Sequence, residues 1–169
     1  MRIERVPLLE FAESAAAILR ASWQPPCLEY SADYIRWQFG YPGHPEGKGV
    51  AAFDSCEPIG FAAVVPRSLA FGGERHPALL LSFVSVRPNF RGQGVGHALY
   101  QALTEIARQT GVPVLSFAET GTAGSRLLTG SLLAAGYYDK NLGPRRAHAG
   151  IAKDHEHNHP RWAPCNSDE

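Results

Sequence analysis

The residues of this chain best suited by type and spacing to bind a ligand are the six from Arg91 to Gly96, which read Arg-Gly-Gln-Gly-Val-Gly. A β-favouring apolar run, Leu79 to Val86, precedes them, and a run with helical periodicity, Val95 to Ala107, follows them. Glycines let the backbone approach a ligand closely, and the first N–H groups of a helix, which have no partner within it, attract anions. A strand, a glycine loop and a helix in this order therefore predict a binding site for a diphosphate.

The predicted contacts to this diphosphate come from one side chain and from the main chain of the loop. Arg91 would add a fixed positive charge. The other contacts are assigned to Gly92, Gln93, Gly94, Val95, Gly96 and His97. For the His97 side chain the alternative is a neutral histidine on the surface. The spacing Arg-x-x-Gly-x-Gly matches neither the dinucleotide-binding Gly-x-Gly-x-x-Gly nor a P-loop, which needs Gly-Lys-Ser/Thr.

The elements that must position this loop are predicted from hydrophobic periodicity and turn residues. The predicted strands are 1–6, 49–54, 59–67, 78–86 and 112–118, with a closing hairpin over 137–152; the predicted helices are 8–21, a short helix capped by Ser31 and ended by Gly40, 94–110 and 123–135. The middle three strands are separated by turns and predict an antiparallel meander. A right-handed crossover through the 94–110 helix would set strand 112–118 parallel to strand 78–86.

Composition excludes several classes of function. With 169 residues, 44% of them hydrophobic, the chain has the size of one globular domain. Sixteen basic and sixteen acidic residues balance, so no overall field favours nucleic acid or an anionic membrane. There is no run of about 18 to 20 apolar residues and no signal-peptide pattern. Because Cys27, Cys56 and Cys165 are odd in number and widely spaced, we expect reduced thiols and a cytoplasmic protein.

The stretch from Val86 to Gly96, Val-Arg-Pro-Asn-Phe-Arg-Gly-Gln-Gly-Val-Gly, resembles the acyl-CoA motif Val-x-Pro-x-x-Arg-x-x-Gly-x-Gly of the GNAT superfamily of N-acetyltransferases. The order of the predicted elements over residues 1–152 is also the order of that family. The resemblance implies an α/β (α+β) fold, in which about four helices flank a mixed, mostly antiparallel sheet that splays at the acyl-CoA site. Residues 1–152 would form this domain, and the polar, His-rich residues 153–169 are expected to be a disordered tail.

For acetyl-CoA, the resemblance implies a pantetheine arm that lies in the notch between the strand containing Ser82 and the strand 112–118. Main-chain groups of Phe83, Val84 and Val86 would pair with the amides of the arm as an added strand does. A backbone N–H near Val84 would meet the thioester carbonyl. Ser125 would hydrogen-bond the arm or, alternatively, cap the last helix. No metal is implied.

The implied reaction is direct transfer of the acyl group to a primary amine, which needs a base for the ammonium and an acid for the leaving thiolate. The acid in the family is often a Tyr of the last helix, and alignment on Gly136 puts Leu132 at that position. Tyr137 and Tyr138 are the substitute candidates, with a buried aromatic role as the alternative. Glu119 is the candidate base, with a solvated strand end as the alternative.

Two serines of the strand before the loop complete the candidate site. Many members of the family carry a polar group on this strand that orders a water, and Ser82 is assigned that role. Because Ser82 and Ser85 are an odd number of residues apart, regular alternation predicts that they point to opposite faces.

Two other classes of function stay open at this point, as does the acceptor. A non-catalytic acyl-CoA-binding protein is suggested by Leu132, and the notch could instead serve a protein partner. Homodimers are common in the family. Aromatic residues concentrate in the segment that usually flanks the acceptor, where they form either a pocket wall or core: Trp23, Tyr30, Tyr34, Trp37, Phe39 and Tyr41.

Overall fold

The apolar and alternating runs of the sequence pair into one mixed sheet in the computed structural model, which describes residues 1–23, 28–43, 45–117, 124, 126 and 127. All of these lie in one compact unit, Met1–Asp139. The strands are β1 (Arg2–Val6), β2 (Lys48–Asp54), β3 (Glu57–Phe71), β4 (Glu74–Val86) and β5 (Val114–Leu115), in the order β1-β2-β3-β4-β5. Neighbours from β1 to β4 are antiparallel, whereas β5 is parallel to β4, as the crossover rule predicts.

Three α-helices connect these strands: α1 (Ala12–Ser22), α2 (Ala32–Phe39) and α3 (Val95–Thr110). A short 3-10 turn, Pro88–Phe90, lies between β4 and α3. The predicted cap of α2 is confirmed, because the Ser31 hydroxyl accepts a hydrogen bond from the N–H of Tyr34 at 3.1 Å. The predicted start of α1 at residue 8 is wrong: residues 8–11 form turns, and these bring Leu8 into the core.

The long hairpin of β3 and β4 extends further than its hydrophobic pattern predicts. Phe71 still pairs with Glu74, and only Gly72 and Gly73 form the turn, with φ of 61° and 84°. Two successive residues with positive φ suit the right-handed twist of a two-residue hairpin. Strand β5 is shorter than the predicted 112–118, and residue 118 lies outside the described part. The predicted last helix is described only at residues 124, 126 and 127, which are helical.

Each face of the sheet is covered by its own apolar cluster. Helices α1 and α2 cover the face that we call the α1/α2 face, and α3 covers the opposite face, called the α3 face. The α1/α2 cluster includes Leu8, Ile18, Leu19, Ile35, Phe39, Phe61, Ala63 and Val65. The α3 cluster includes Val50, Ile59, Ala62, Val64, Leu79, Val95, Leu99, Leu103 and Ile106. Among the residues described, no helix combines the length and the apolar character needed to cross a membrane.

Candidate active site

Strand β4 is interrupted by a bulge at Phe83. Ser82 pairs with Ala63 and Val84 pairs with Ala62, so Phe83 is an extra residue with no partner on β3. The φ of Phe83 is 57°, which is uncommon for a bulky side chain. A bulge reverses the alternation of side chains along a strand from that point onward. The residues on either side of Phe83 are therefore placed differently from those in a regular strand.

The expectation that Ser82 and Ser85 point to opposite faces is wrong because of this bulge. Ser82 lies opposite Ala63 and Ser85 lies opposite Phe61, and both of these partners belong to the α1/α2 cluster. Cross-strand partners point to the same side of a sheet. Both serines therefore lie on the α1/α2 face, Ser85 buried and Ser82 half-buried.

The edge of β4 that faces away from β3 loses its strand partner just before the bulge. Pairing with β5 is confined to Leu79 with Val114 and Leu80 with Leu115, and the N–H of Leu79 donates to Pro113 at 2.8 Å. Beyond Leu80, no strand of the described chain pairs with this edge. Backbone groups of alternate residues face one edge, and the extra residue shifts the alternation by one. By this alternation the main-chain groups of Val84 and Val86 lie on that edge, and their pairing with a ligand stays a prediction.

The glycine loop follows this edge directly. Gly92 and Gly94 have φ of 75° and 81°, whereas a Cβ at either would meet nothing within 4 Å, so the conformation and not the space requires glycine there. Helix α3 begins after Gly94 with no side-chain cap and no acidic residue in its first turn. The N–H groups of such a helix N-terminus have no partner within the helix and attract anions.

Gly96 is glycine for a different reason. A Cβ there would lie 3.2 Å from the Leu127 side chain and 3.9 Å from that of Val86. The residue lets another segment of the chain approach the first turn of α3. Its smallness therefore serves packing beside the loop, in addition to the main-chain N–H that it is predicted to offer the diphosphate.

The side chain of Arg91 hydrogen-bonds to two main-chain carbonyls beside the loop. Its Nε donates to the carbonyl of Val86 at 3.2 Å, and its Nη2 donates to the carbonyl of Ser22 at 2.7 Å. The Ser22 hydroxyl also lies 3.2 Å from the Val86 carbonyl. Arg91 therefore ties the end of α1 to the end of β4. Since a guanidinium has five N–H donors, three of those of Arg91 remain for the predicted phosphate contact.

Some of the other predicted residues lie within the described part of the chain, and the rest lie outside it. Gln93 is exposed and donates to the carbonyl of Asn89 at 2.9 Å, Val95 is buried so that only its main chain can face a ligand, and His97 is exposed. The Ser82 hydroxyl lies 3.4 Å from the Gln38 side-chain nitrogen. The remaining candidates lie outside the described residues, and their roles stay predictions: Glu119, Ser125, Leu132, Tyr137 and Tyr138.

Tyr100 is a polar residue near the opening that the sequence analysis missed. It is buried on α3, where burial raises the pKa of its phenol to about 12, while a hydrogen bond with Ser116 opposes the rise. Ser116 comes directly after β5. The phenol therefore stays neutral well above the pH at which an exposed tyrosine ionises, and it lies beside the residue that follows β5. In the sequence, the one feature that singles out Tyr100 is its position beside the apolar stripe of α3, and that position indicates a packing role.

The aromatic residues of the α1–α2 segment form a ladder that starts at the bulge. The ring of Tyr30 lies 5.6 Å from that of Phe83, and successive centroid distances from Tyr30 to Tyr34, Trp37 and Tyr41 are 6.3, 6.0 and 5.7 Å. Tyr30 is buried, whereas Trp37 is 49% exposed. The core alternative therefore holds for Tyr30, and a pocket role for the exposed rings stays a prediction.

A family model described as Acetyltransferase (GNAT) family matches residues 10–127. The match includes the bulge, the open edge and the glycine loop. The chain belongs to the acetyltransferase (GNAT) family, which makes it an enzyme of the N-acetyltransferase class. The resemblance drawn from the loop motif is confirmed. A search of curated proteins finds no match.

Solved structures share the fold at low sequence identity. The aminoglycoside 6'-N-acetyltransferase AAC(6')-IG from Acinetobacter haemolyticus is 18% identical with a TM-score of 0.61, over 87% of this chain and 97% of that one. The ribosomal-protein-alanine N-acetyltransferase from Brucella melitensis biovar Abortus 2308 is 18% identical with a TM-score of 0.59, over 86% and 99%. AAC(6')-Iy, in complex with the bisubstrate analog CoA-S-monomethyl-acetylneamine, is 18% identical with a TM-score of 0.61, over 86% and 99%. The predicted α+β fold is confirmed.

Proposed function

We propose that this protein transfers an acetyl group from acetyl-CoA to a primary amine by direct attack. One observation carries the proposal: the open edge of β4 after the Phe83 bulge leads straight into a helix N-terminus that lacks a side-chain cap. The edge suits the amides of a pantetheine arm, and the helix N-terminus suits a diphosphate. Pantetheine and diphosphate are adjacent parts of the CoA molecule. The two surfaces that suit them follow each other along the chain in the same order.

The loop residues would divide the work of binding. The N–H groups of Gln93, Gly94, Val95, Gly96 and His97 are assigned to the diphosphate, together with Gly92 and the Arg91 side chain. Phe83, Val84 and Val86 are assigned to the pantetheine amides, and Ser125 to the same arm. The AAC(6')-Iy complex with a CoA-containing analog supports a CoA site in this fold.

In the proposed reaction, the neutral amine attacks the thioester carbonyl carbon, so that a C–N bond forms and the C–S bond breaks. The amine loses one proton, and the CoA thiolate gains one when it leaves as the thiol. We assign the first transfer to Glu119 and the second to Tyr137 or Tyr138, while Ser82 orders a water beside the bulge. The reaction would take place in the cytoplasm and involve neither nucleic acid nor a membrane.

The cofactor half of the proposal is tested by binding. Acetyl-CoA and CoA should raise the melting temperature of the full chain, because a ligand that binds only the folded state stabilises it. Arg91→Ala should weaken CoA binding about tenfold or more, as expected for a charged hydrogen bond worth roughly 1.5 to 3 kcal/mol. Arg108→Ala removes an exposed arginine from the other end of α3 and serves as the matched control. Unchanged affinity in Arg91→Ala would exclude the side-chain role.

The transfer half is tested by CoA release, followed with a thiol reagent across a panel of amines. Release that depends on an amine, together with an acetylated product of the expected mass, supports the enzyme. A non-catalytic acyl-CoA-binding protein is the second candidate, because Leu132 occupies the position of the usual acid. That candidate predicts CoA binding without release by any amine. A protein without a CoA-dependent melting shift would contradict both.

A further inference from the structure

A half-buried arginine on the α1/α2 face lacks an anionic partner. Arg67, on β3, donates from Nη1 to the carbonyl of Pro66 at 2.8 Å and from Nη2 to the carbonyl of Gln38 at 3.4 Å. Its guanidinium also lies 5.5 Å from the centroid of the Tyr41 ring. Among the described residues no carboxylate forms an ion pair with it.

The positive charge of Arg67 is offset by partial charges only, with no carboxylate beside it among the described residues. Burial lowers the pKa of the guanidinium, and Tyr41 opposes that shift. The carbonyl of Gln38 is at the end of α2, where the helix dipole contributes about half of a negative charge. Because three of the five N–H donors of Arg67 are unused by these contacts, the side chain can still bind a planar anion.

Gln38 connects this cation to the bulge. Its main-chain carbonyl accepts from Arg67, and its side-chain nitrogen lies 3.4 Å from the Ser82 hydroxyl. Ser82 is the residue directly before Phe83. We call Arg67, Gln38 and Ser82 the acceptor cluster. In this cluster the main chain of Gln38 contacts the cation, and its side chain lies beside the hydroxyl. Trp37, on the same helix, is half-exposed.

We infer that the acceptor cluster binds an amino acid, whose carboxylate pairs with Arg67 and whose amine lies toward Ser82 and the bulge. The inference rests on the proposed acetyl transfer, since it names the acceptor of that reaction. One guanidinium matches the single charge and planar shape of a carboxylate better than the double charge of a phosphate. A polycationic amine would bring like charges to Arg67.

The test compares amino acids with their carboxamides as acceptors. The amine of a carboxamide is less basic, so each substrate is compared with itself between wild type and Arg67→Gln, which cancels that difference. The substrates are the L-amino acids, their carboxamides, phosphoethanolamine and kanamycin, at saturating acetyl-CoA. The matched control is Arg75→Gln, which removes an exposed arginine from the other strand of the same hairpin.

We expect Arg67→Gln to raise KM for the preferred amino acid about tenfold or more, as the loss of a charged hydrogen bond predicts. KM for its carboxamide should not change, and Arg67→Lys should restore part of the loss. The control variant should behave as wild type. A CoA-dependent melting shift in every variant reports that the fold and the cofactor site are intact.

Three results would overturn the inference while leaving the proposed function standing: equal losses for the acid and the amide, a preference for phosphoethanolamine or kanamycin, or use of none of the amino acids. A wild-type protein that CoA does not stabilise would instead overturn the proposed function, and this inference with it.

Discussion

The two faces of the sheet differ in what their polar residues do. On the α3 face, α3 covers the strands with an almost unbroken apolar stripe, of which Leu99 and Leu103 are fully buried. On the α1/α2 face the apolar cluster is equally dense under α1, but near the bulge it gives way to Ser82, Gln38 and Arg67. Polar groups cost free energy at a packed face unless they are paired. The α3 face therefore mainly stabilises the domain, whereas the α1/α2 face near the bulge carries the polar residues of the proposed acceptor site.

Truncation of the α3 face is expected to have the largest effect on stability. Leu99 is 0% exposed, and its side chain packs directly against the backbone of Gly60. Leu99→Ala should lower the free energy of unfolding by about 2 to 5 kcal/mol, since it leaves a cavity in a dense core. Chemical denaturation measures this loss, and KM for the acceptor should stay unchanged. A shift in acceptor KM without a loss of stability would contradict the division between the faces.

The phenol of Tyr100 tests the same face at high pH. Its pKa is raised to about 12 by burial, whereas an unfolded tyrosine ionises at about 10. Between these values only the unfolded chain is ionised, so stability is intact below pH 10 and falls by about 1.4 kcal/mol per pH unit up to pH 12. Tyr100→Phe should remove this part of the decline, measured as unfolding free energy against pH. Other tyrosines act in both proteins and cancel in the comparison. Identical alkaline slopes would show that the phenol is not held neutral.

A smaller effect is expected at α2, the helix that carries Gln38 of the acceptor cluster. Ser31 caps α2 through a 3.1 Å hydrogen bond from the N–H of Tyr34. Ser31→Ala should cost about 1 kcal/mol, and Ser31→Asp should retain the cap. Thermal denaturation of the three proteins measures the difference. If alanine and aspartate behave alike, the cap does not contribute to the position of α2.

Much of the fold could be predicted because its signals are local. The cap at Ser31, the turn at Gly72 and Gly73 and the start of α3 each depend on a few neighbouring residues, and the structure has all of them. The hydrophobic pattern underestimates the outer ends of β3 and β4, since residues 74–77 of β4 are all exposed and show no alternation. Pairing across the hairpin, and not the hydrophobic pattern, holds those halves in register.

The sequence by itself determined the glycine loop, since Gly92 and Gly94 have positive φ and the residues before and after them form a strand and a helix. Only the tertiary structure decided which residues lie together beside the loop. At the Phe83 bulge β4 has one residue more than the paired stretch of β3, and no local sequence pattern encodes that extra residue. The bulge puts Ser82 and Ser85 on one face, and the packing of α2 on that face brings Gln38 into contact with both Ser82 and Arg67. Residues so far apart in the chain meet only when long-range pairing sets the register.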